Sequence, residues 1–348
     1  MQRPFSSDHT DVERLTVRVE APARLHLGFI DVSGTLGRRF GSIGLTLDQF
    51  PTVLELRHSE RLEAQGPSAA RALEYLRRLI DDYDVASGAT LDVRCAIPEH
   101  VGFGSGTQLA LAVGKAFSAL FDIPLSISAI TAAADRGARS GIGIGAFEQG
   151  GFIVDGGRGS AGGHPPVIAR MAFPPAWRVL LVLDRGGRGL SGEAELAAFR
   201  SLHAFPQERA ARLAHLVLLR AMPALAEEDL ANFGAAVGEI QRTVGDHFAA
   251  AQGGRFASPA VAEVLAWLES SGVSGIGQSS WGPTGFAIVD SEVRAHALVI
   301  EARRRFAHWR ELELVVACAR NHGHSLERFV RAQGSGVSPK TSTANRKG

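Results

Sequence analysis

The chain has 348 residues, 45% of them hydrophobic, with 37 Lys and Arg against 36 Asp and Glu for a formal net charge of +1. So even a balance excludes a bulk field that would collect nucleic acid or an anionic membrane, and any anion has to be met by a local site; the hydrophobic content suffices for one large α/β unit or two subdomains. The 2 cysteines, Cys95 and Cys318, sit in apolar, strand-like runs and exclude both a disulfide framework and a zinc site.

Residues 1–14 are polar and read as a flexible N-terminus without a signal-peptide core. No run of about 18 apolar residues offers a spanning helix, so a cytoplasmic protein with no membrane partner and no nucleic-acid partner is expected. LTVRVEAPARLHLGFIDV and IGLTLDQFPTVLELRH are rich in β-branched and aliphatic residues and predict strands broken at Pro22 and Pro51. AARALEYLRRLIDDYD has the periodicity of an amphipathic helix, ATLDVRCAIP alternates as a strand, and Thr107 to Phe121 predicts a second helix. Ser128 to Arg139 predicts another, followed by the glycine-heavy GIGIGAFEQGGFIVDGG. Past GRGSAGGHPP come the strand WRVLLVLD and a long helical region from Glu193 to Ala250. The chain then reads helix, glycine loop, strand, helix, strand, the order of an α+β fold rather than a wound parallel sheet. The expected organisation is an N-terminal domain over 15–165, a C-terminal domain over 166–331 and a disordered basic tail over 332–348.

The stretch PEHVGFGSGTQLALAVGKAFSALF carries the clearest chemistry. Gly102, Gly104 and Gly106 let backbone approach a ligand with no Cβ in the way, and the first N–H groups of the helix that follows lack internal partners at the positive end of its dipole. That combination is an anion site. A G-x-x-x-x-G-K-[ST] loop is excluded because Lys115 lies about two turns down the helix. A dinucleotide fingerprint is excluded because Thr107 falls where its third glycine belongs.

PEHVGFGSGTQLALA resembles the second motif of the GHMP kinase superfamily, a loop that wraps nucleotide phosphates at a helix N-terminus. APARLHLGFIDVSG resembles its first motif and GQSSWGPTGFAIV its third. RLHLGFIDVSG, RRFGSIGLTLD, GIGIGAFEQGGFIVDGG, GLSGEAE and GQSSWGPTG together resemble the β-ribofuranosylaminobenzene 5′-phosphate synthase branch, over the chain from Leu15 to about Val330. The resemblance implies an α+β, two-subdomain GHMP-kinase-like fold: an N-terminal mixed sheet with helices, a C-terminal α/β sandwich, and the active site in the cleft between them. Departures from the kinase pattern are specific. The second loop serine, which reaches the metal in kinases, is matched by Gly106, with Thr107 the nearest hydroxyl. Upstream of the Gly156–Gly157 pair, where kinases carry a catalytic Asp, stand Glu148 and Gln149. An earlier metal-binding acid of the kinases is matched by Asp135.

The implied reaction joins phosphoribosyl pyrophosphate to a para-substituted benzoate, 4-hydroxy or 4-amino, and releases pyrophosphate and carbon dioxide, as in the early steps of tetrahydromethanopterin biosynthesis. Gly102, Gly104, Ser105, Gly106 and Thr107 would hold the departing pyrophosphate with Mg²⁺, for which Asp135, Glu148 and Thr107 are the candidate ligands. Glu148, flanked by Phe147, Gly150 and Gly151 and so expected to be buried, would stabilise the oxocarbenium-like sugar. His26 is the candidate base for the para group, on the same strand face as Arg24 and Gly28. Arg24 would hold a carboxylate or phosphate, Asp31 an arginine or a ribose hydroxyl, and one of Arg38, Arg39, Arg185 and Arg188 the ribose 5′-phosphate, with Arg188, before GLSGE, the favoured one. Ser279, Trp281 and Gly282 of the third loop would line the substrate, Trp281 as an apolar wall. Many scaffolds of the superfamily are dimers, which makes a homodimer part of the expectation. The alternatives are an ATP-dependent small-molecule kinase of the same fold and a non-catalytic phosphosugar-binding module.

Overall fold

Two long strands make the spine of the first half. The computed structural model describes residues 14–137, 139–160, 162–187, 189 and 192–331; apart from Arg14, the expected loose N-terminus and basic tail lie outside them. Strand β1 (Arg14–Phe29) pairs antiparallel with β3 (Ser42–Ser59), from Thr16↔Arg57 to Phe29↔Ser42, with the two-residue β2 (Arg38–Arg39) between them in sequence. Pro22 and Pro51, which have no N–H to give a ladder, fall where the register shifts between Ala21 and Ala23. The sheet is widened by β4 (Glu63–Gln65), and helix α1 (Ala69–Asp82) leads to β5 (Gly88–Cys95), parallel to β4 and antiparallel to β3.

Below the bend, Val17, Val19, Leu54 and Leu56 pack against α1 and α2 (Ser105–Phe121) through Tyr75, Leu76, Leu109, Val113 and Phe117. From Gln108 onward α2 is buried on nearly every side, so its first turn is the part left to meet a ligand. After α3 (Ile127–Ala133) comes α4 (Ile142–Glu148), a helix in the stretch that the sequence reads only as glycine-heavy. Packing outweighs the poor helix propensity of glycine there: a Cβ on Gly145 would fall 2.9 Å from methyl carbons of both Ile153 and Val167. Strands β6 (Phe152–Asp155), the short β7 (Arg158–Gly159) and β8 (Val167–Met171) follow, β6 pairing with β3 and with β8.

The second half is built on β9 (Arg178–Asp184). The expected long helical region is α5 (Gly192–Ser201), α6 (Gln207–Leu216), a π-helical turn at Val217–Ala221, α7 (Met222–Ala226) and α8 (Leu230–Gln252). Then come α9 (Pro259–Ser270), β10 (Gly275–Gln278), β11 (Gly285–Val289), α10 (Glu292–Arg305) and β12 (Leu312–Ala317). The four strands form an antiparallel sheet in the order β10-β11-β9-β12. Val261, Leu265, Ala295 and Val299 of α9 and α10 pack with Leu180, Val182 and Ala287, while Phe233, Val237 and Ile240 of α8 join Val179, Leu181 and Phe286 in the main core.

Finally β13 (Ser325–Arg331) returns to pair with β1, completing a seven-stranded sheet that is mixed through its β4–β5 pair. Thus β8 and β13, both beyond the expected boundary at residue 165, hydrogen-bond into the first sheet. SLERFVR shows no alternation to announce β13 because it is a largely exposed edge. Arg320, 4% exposed, locks the crossing through ion pairing with Glu20 and a bond to the Gly323 carbonyl at 3.1 Å.

Helix α2 packs so closely on α3 that a Cβ on Gly114 would lie 2.3 Å from Ile130 Cγ2. Gly114→Ala is therefore expected to destabilise by about 1–3 kcal/mol, although alanine is the better helix former, and a urea melt showing unchanged or higher stability would contradict that packing.

Candidate active site

The loop before α2 is held by its carbonyl oxygens, and among the described residues its amides have no acceptor. Gly102 O accepts from an Arg24 Nη1 hydrogen and from Ser279 Oγ at 2.8 Å, Phe103 O accepts from Arg24 N at 3.2 Å, and Gly104 O takes the first helical bond, from Gln108 N at 3.1 Å. No described residue accepts from the amides of Ser105, Gly106 or Thr107, and the hydroxyls of Ser105 and Thr107 have no hydrogen-bond partner among the described residues. Gly102 and Gly104 adopt left-handed backbone, with φ of 88° and 80°. A Cβ on Gly102 would also lie 2.4 Å from Ser279 O, so the loop and the third glycine stretch meet backbone to backbone.

Guanidinium groups flank the free amides. Arg24 lies against Gly104, its Nε 3.0 Å from where a Cβ would be, and the exposed Arg136 lies against Gly106, with Cζ at 3.2 Å. Arg136 is steadied by its Nε–H bond to the Tyr75 hydroxyl at 3.2 Å. Burial pulls Arg24 down to about 10, partly offset by the negative charge of Glu195, so it remains a cation at neutral pH. Glu195, on α5, sits 2.9 Å from Arg139 Nη1 with its side chain 16% exposed. Burial raises its pKa, opposed by Arg139, by Arg24 and by the Trp281 indole N–H, which reaches it in too poor a geometry for a full hydrogen bond.

Beside this cluster is a wall of rings. Trp281 stacks on Phe248 at 4.6 Å and meets Phe199 edge-on at 5.2 Å; Phe199 also packs on Phe40 at 5.3 Å and lies under Arg139 at 5.9 Å. His26 shares its strand face with Arg24 as expected, and its ring lies 4.5 Å from Phe29. Its Nε2 is buried without a hydrogen-bond partner among the described residues, and His26 lines a cavity of about 20 Å³, the size for one water, with Gln241, Gln252, Gln278 and Ser280 among its other walls. Burial, reinforced by Arg24, pushes the imidazole down to about 3.

Comparison with known proteins places this architecture. The GHMP kinases N terminal domain matches residues 68–151 and the GHMP kinases C terminal matches residues 221–308. A beta-ribofuranosylphenol 5′-phosphate synthase of Archaeoglobus fulgidus is 33% identical over 89% of this chain and 99% of its own; one of Methanothermobacter thermautotrophicus is 31% identical over 79% and 89%. The chain belongs to this synthase family. Solved structures give the same fold at low identity. L. major mevalonate kinase superposes with a TM-score of 0.65 at 16% identity, over 93% of this chain and all of its own. The mevalonate diphosphate decarboxylase of Enterococcus faecalis reaches 0.62 at 18%, over 91% of this chain and all of its own.

The structure brings together Arg24, the loop from Gly102 to Thr107, Ser279, Trp281 and Gly282, and leaves other expected residues apart. Glu148 is exposed at the end of α4, not buried: Phe147, not Glu148, turns into the core, stacking on His324 at 4.0 Å. Asp135 is exposed in a left-handed turn next to Arg136. Among the described residues no three His, Cys, Asp or Glu side chains converge on one point. Asp31 is engaged by its own turn, accepting from Ser33 N at 2.7 Å and Gly34 N at 3.2 Å, and borders a cavity of about 560 Å³ that shares no residue with the loop. Arg188 lies outside the described residues. Sequence reading missed Glu195, Arg136 and Arg139, whose signals were the second acid of GLSGEAE and the paired arginines of DRGARSG. It also missed Asp155, wholly buried and accepting from Ser42, Ser140, Gly141 N and Gly157 N, which ties the Gly156–Gly157 turn to α4.

Because the folded state keeps His26 neutral while the unfolded chain protonates near pH 6.5, its contribution is intact above 6.5 and is lost as pH falls toward 3. Between pH 7 and pH 5 the wild type should lose ~2 kcal/mol more than His26→Gln in paired denaturant melts. Parallel pH dependence in the two would show that His26 titrates normally.

Proposed function

We propose that the chain catalyses a decarboxylating phosphoribosyl transfer, joining phosphoribosyl pyrophosphate to 4-hydroxybenzoate to give a C-riboside 5′-phosphate, pyrophosphate and carbon dioxide. The anomeric C–O bond to the diphosphate breaks, the ring carbon bearing the carboxylate bonds to the anomeric carbon, and the carboxylate leaves as CO₂, its electron pair restoring the aromatic ring. The observation that carries this reading is the set of free amides at Ser105, Gly106 and Thr107 between the cations Arg24 and Arg136. Donors fixed before reaction, where leaving-group charge grows, lower the barrier without reorganising. The relatives' name supplies the phenol and favours the 4-hydroxy over the 4-amino acceptor.

The wall of Trp281, Phe199 and Phe248 gives the arene an apolar surface on which the carboxylate is weakly solvated, which favours its loss. His26 enters as a neutral acceptor rather than a titrating base. A magnesium ion brought in with the diphosphate would be held in part by the Thr107 hydroxyl and would supply further neutralisation of the leaving group. A kinase is less well supported, since Glu148, standing where the transferring base would be, is exposed. The reading includes soluble substrates in the cytoplasm and a homodimer.

Incubation with Mg²⁺, phosphoribosyl pyrophosphate and carboxyl-labelled 4-hydroxybenzoate should release label only when the phosphoribosyl donor is present. ATP hydrolysis with an alcohol acceptor, and no label released, would favour the kinase. Arg136→Gln, at an exposed position, should raise the KM for the donor about tenfold with a smaller change in kcat, because it removes one charge-assisted contact to an anion bound in both ground and transition states. An unchanged KM would take Arg136 out of the site.

A further inference from the structure

Three buried donors with unused hydrogens belong to side chains that act on one carboxylate. Arg24 Nε, Arg139 Nη1 and Trp281 Nε1 have no hydrogen-bond partner among the described residues, and Arg139, Arg24 and Trp281 all act on Glu195. Arg139 Nη1 lies 2.9 Å from Glu195 Oε1 but is misdirected for a hydrogen bond. Buried donors left this way are costly unless something else takes their hydrogens. Arg24 is also fixed from the other side, by its bond to Gly102 O and its packing on Gly104. The arrangement suits a second set of acceptor oxygens arriving beside the free amides of α2, and a diphosphate supplies them.

We infer that Glu195 is the positioning acid of this site: in the free protein it holds Arg24 and Arg139 at the loop, and the diphosphate takes both guanidinium groups from it on binding. It offsets the charge of two cations that would otherwise stand unanswered beside the loop. Once the diphosphate engages them, the Glu195 carboxylate is the negative charge left next to the sugar whose anomeric carbon is becoming positive. Its role in turnover rests on the phosphoribosyl transfer proposed above; its competition with an anion for the two arginines does not.

The two parts separate in one experiment. Inorganic pyrophosphate, titrated calorimetrically into the wild type, should bind several-fold more tightly to Glu195→Gln, because the competing carboxylate is gone, and about tenfold more weakly to Arg139→Gln. Donor-dependent CO₂ release should meanwhile fall at least 100-fold in Glu195→Gln and recover in part in Glu195→Asp, with thermal melts confirming that all variants fold. Weaker or unchanged pyrophosphate binding by a folded Glu195→Gln would overturn the inference, as would full turnover in that variant. Tighter pyrophosphate binding by Glu195→Gln, in a protein whose wild type releases no CO₂, would uphold the competition and instead remove the proposed reaction.

Discussion

The site depends on one carbonyl. Gly102 O is taken by Arg24 from the first strand and by Ser279 from the third glycine stretch, so the loop before α2 is pinned from two directions through its acceptors. That leaves the donors of the first helical turn facing outward. A loop held by its amides would have none to give a ligand. The left-handed backbone at Gly102 and Gly104 is the condition for this inversion, and the 2.4 Å that would separate a Gly102 Cβ from Ser279 O shows why no larger residue can replace it. Burial of α2 along the rest of its length holds the geometry steady, since the helix cannot shift without disturbing the core under β1 and β3.

Electrostatics then set what the pinned loop prefers. Arg24 and Arg136 lie against the loop at Gly104 and Gly106, and Glu195 is the carboxylate that answers Arg24 and Arg139. A net positive site with unpaired donors attracts a polyanion, and partial desolvation strengthens each contact. The chain carries a net charge of only +1, so this attraction comes from where the charges are, not from how many there are. Aromatic side chains stand on one side of the cluster, so that under the proposed reaction the phosphate would lie at the helix end and the ring against Trp281 and its neighbours.

Local patterns made much of this legible. β-branched and aliphatic runs announce β1, β3 and β9, alternation announces β5, helical periodicity announces α1 and α2, and the alternate glycines at 102, 104 and 106 mark the loop whose backbone stands in left-handed conformation at Gly102 and Gly104. What stayed hidden depends on tertiary contacts. Glycine in α4 looked like loop because its close packing on β6 and β8 is invisible in one dimension. Flanking Phe147 and glycines suggested a buried Glu148, yet a seven-residue helix has an outer side, and the acid at its last position faces solvent. Glu195, Arg139 and Arg24 lie far apart in sequence, yet Glu195 pairs with Arg139 and shares the electrostatic field of Arg24, a relation only the folded chain creates. The lack of any alternation in SLERFVR concealed the return of the chain to its first sheet.

The most direct measurement is of the three amides themselves. In ¹⁵N-resolved spectra of the whole chain titrated with the magnesium salt of phosphoribosyl pyrophosphate, the largest amide shifts should fall at Ser105, Gly106 and Thr107, with the Arg24 Nε–H signal moving alongside them. If those signals stay in place while residues bordering the 560 Å³ cavity, such as Ile30 and Met222, move instead, the diphosphate is held elsewhere and the account of the loop is wrong.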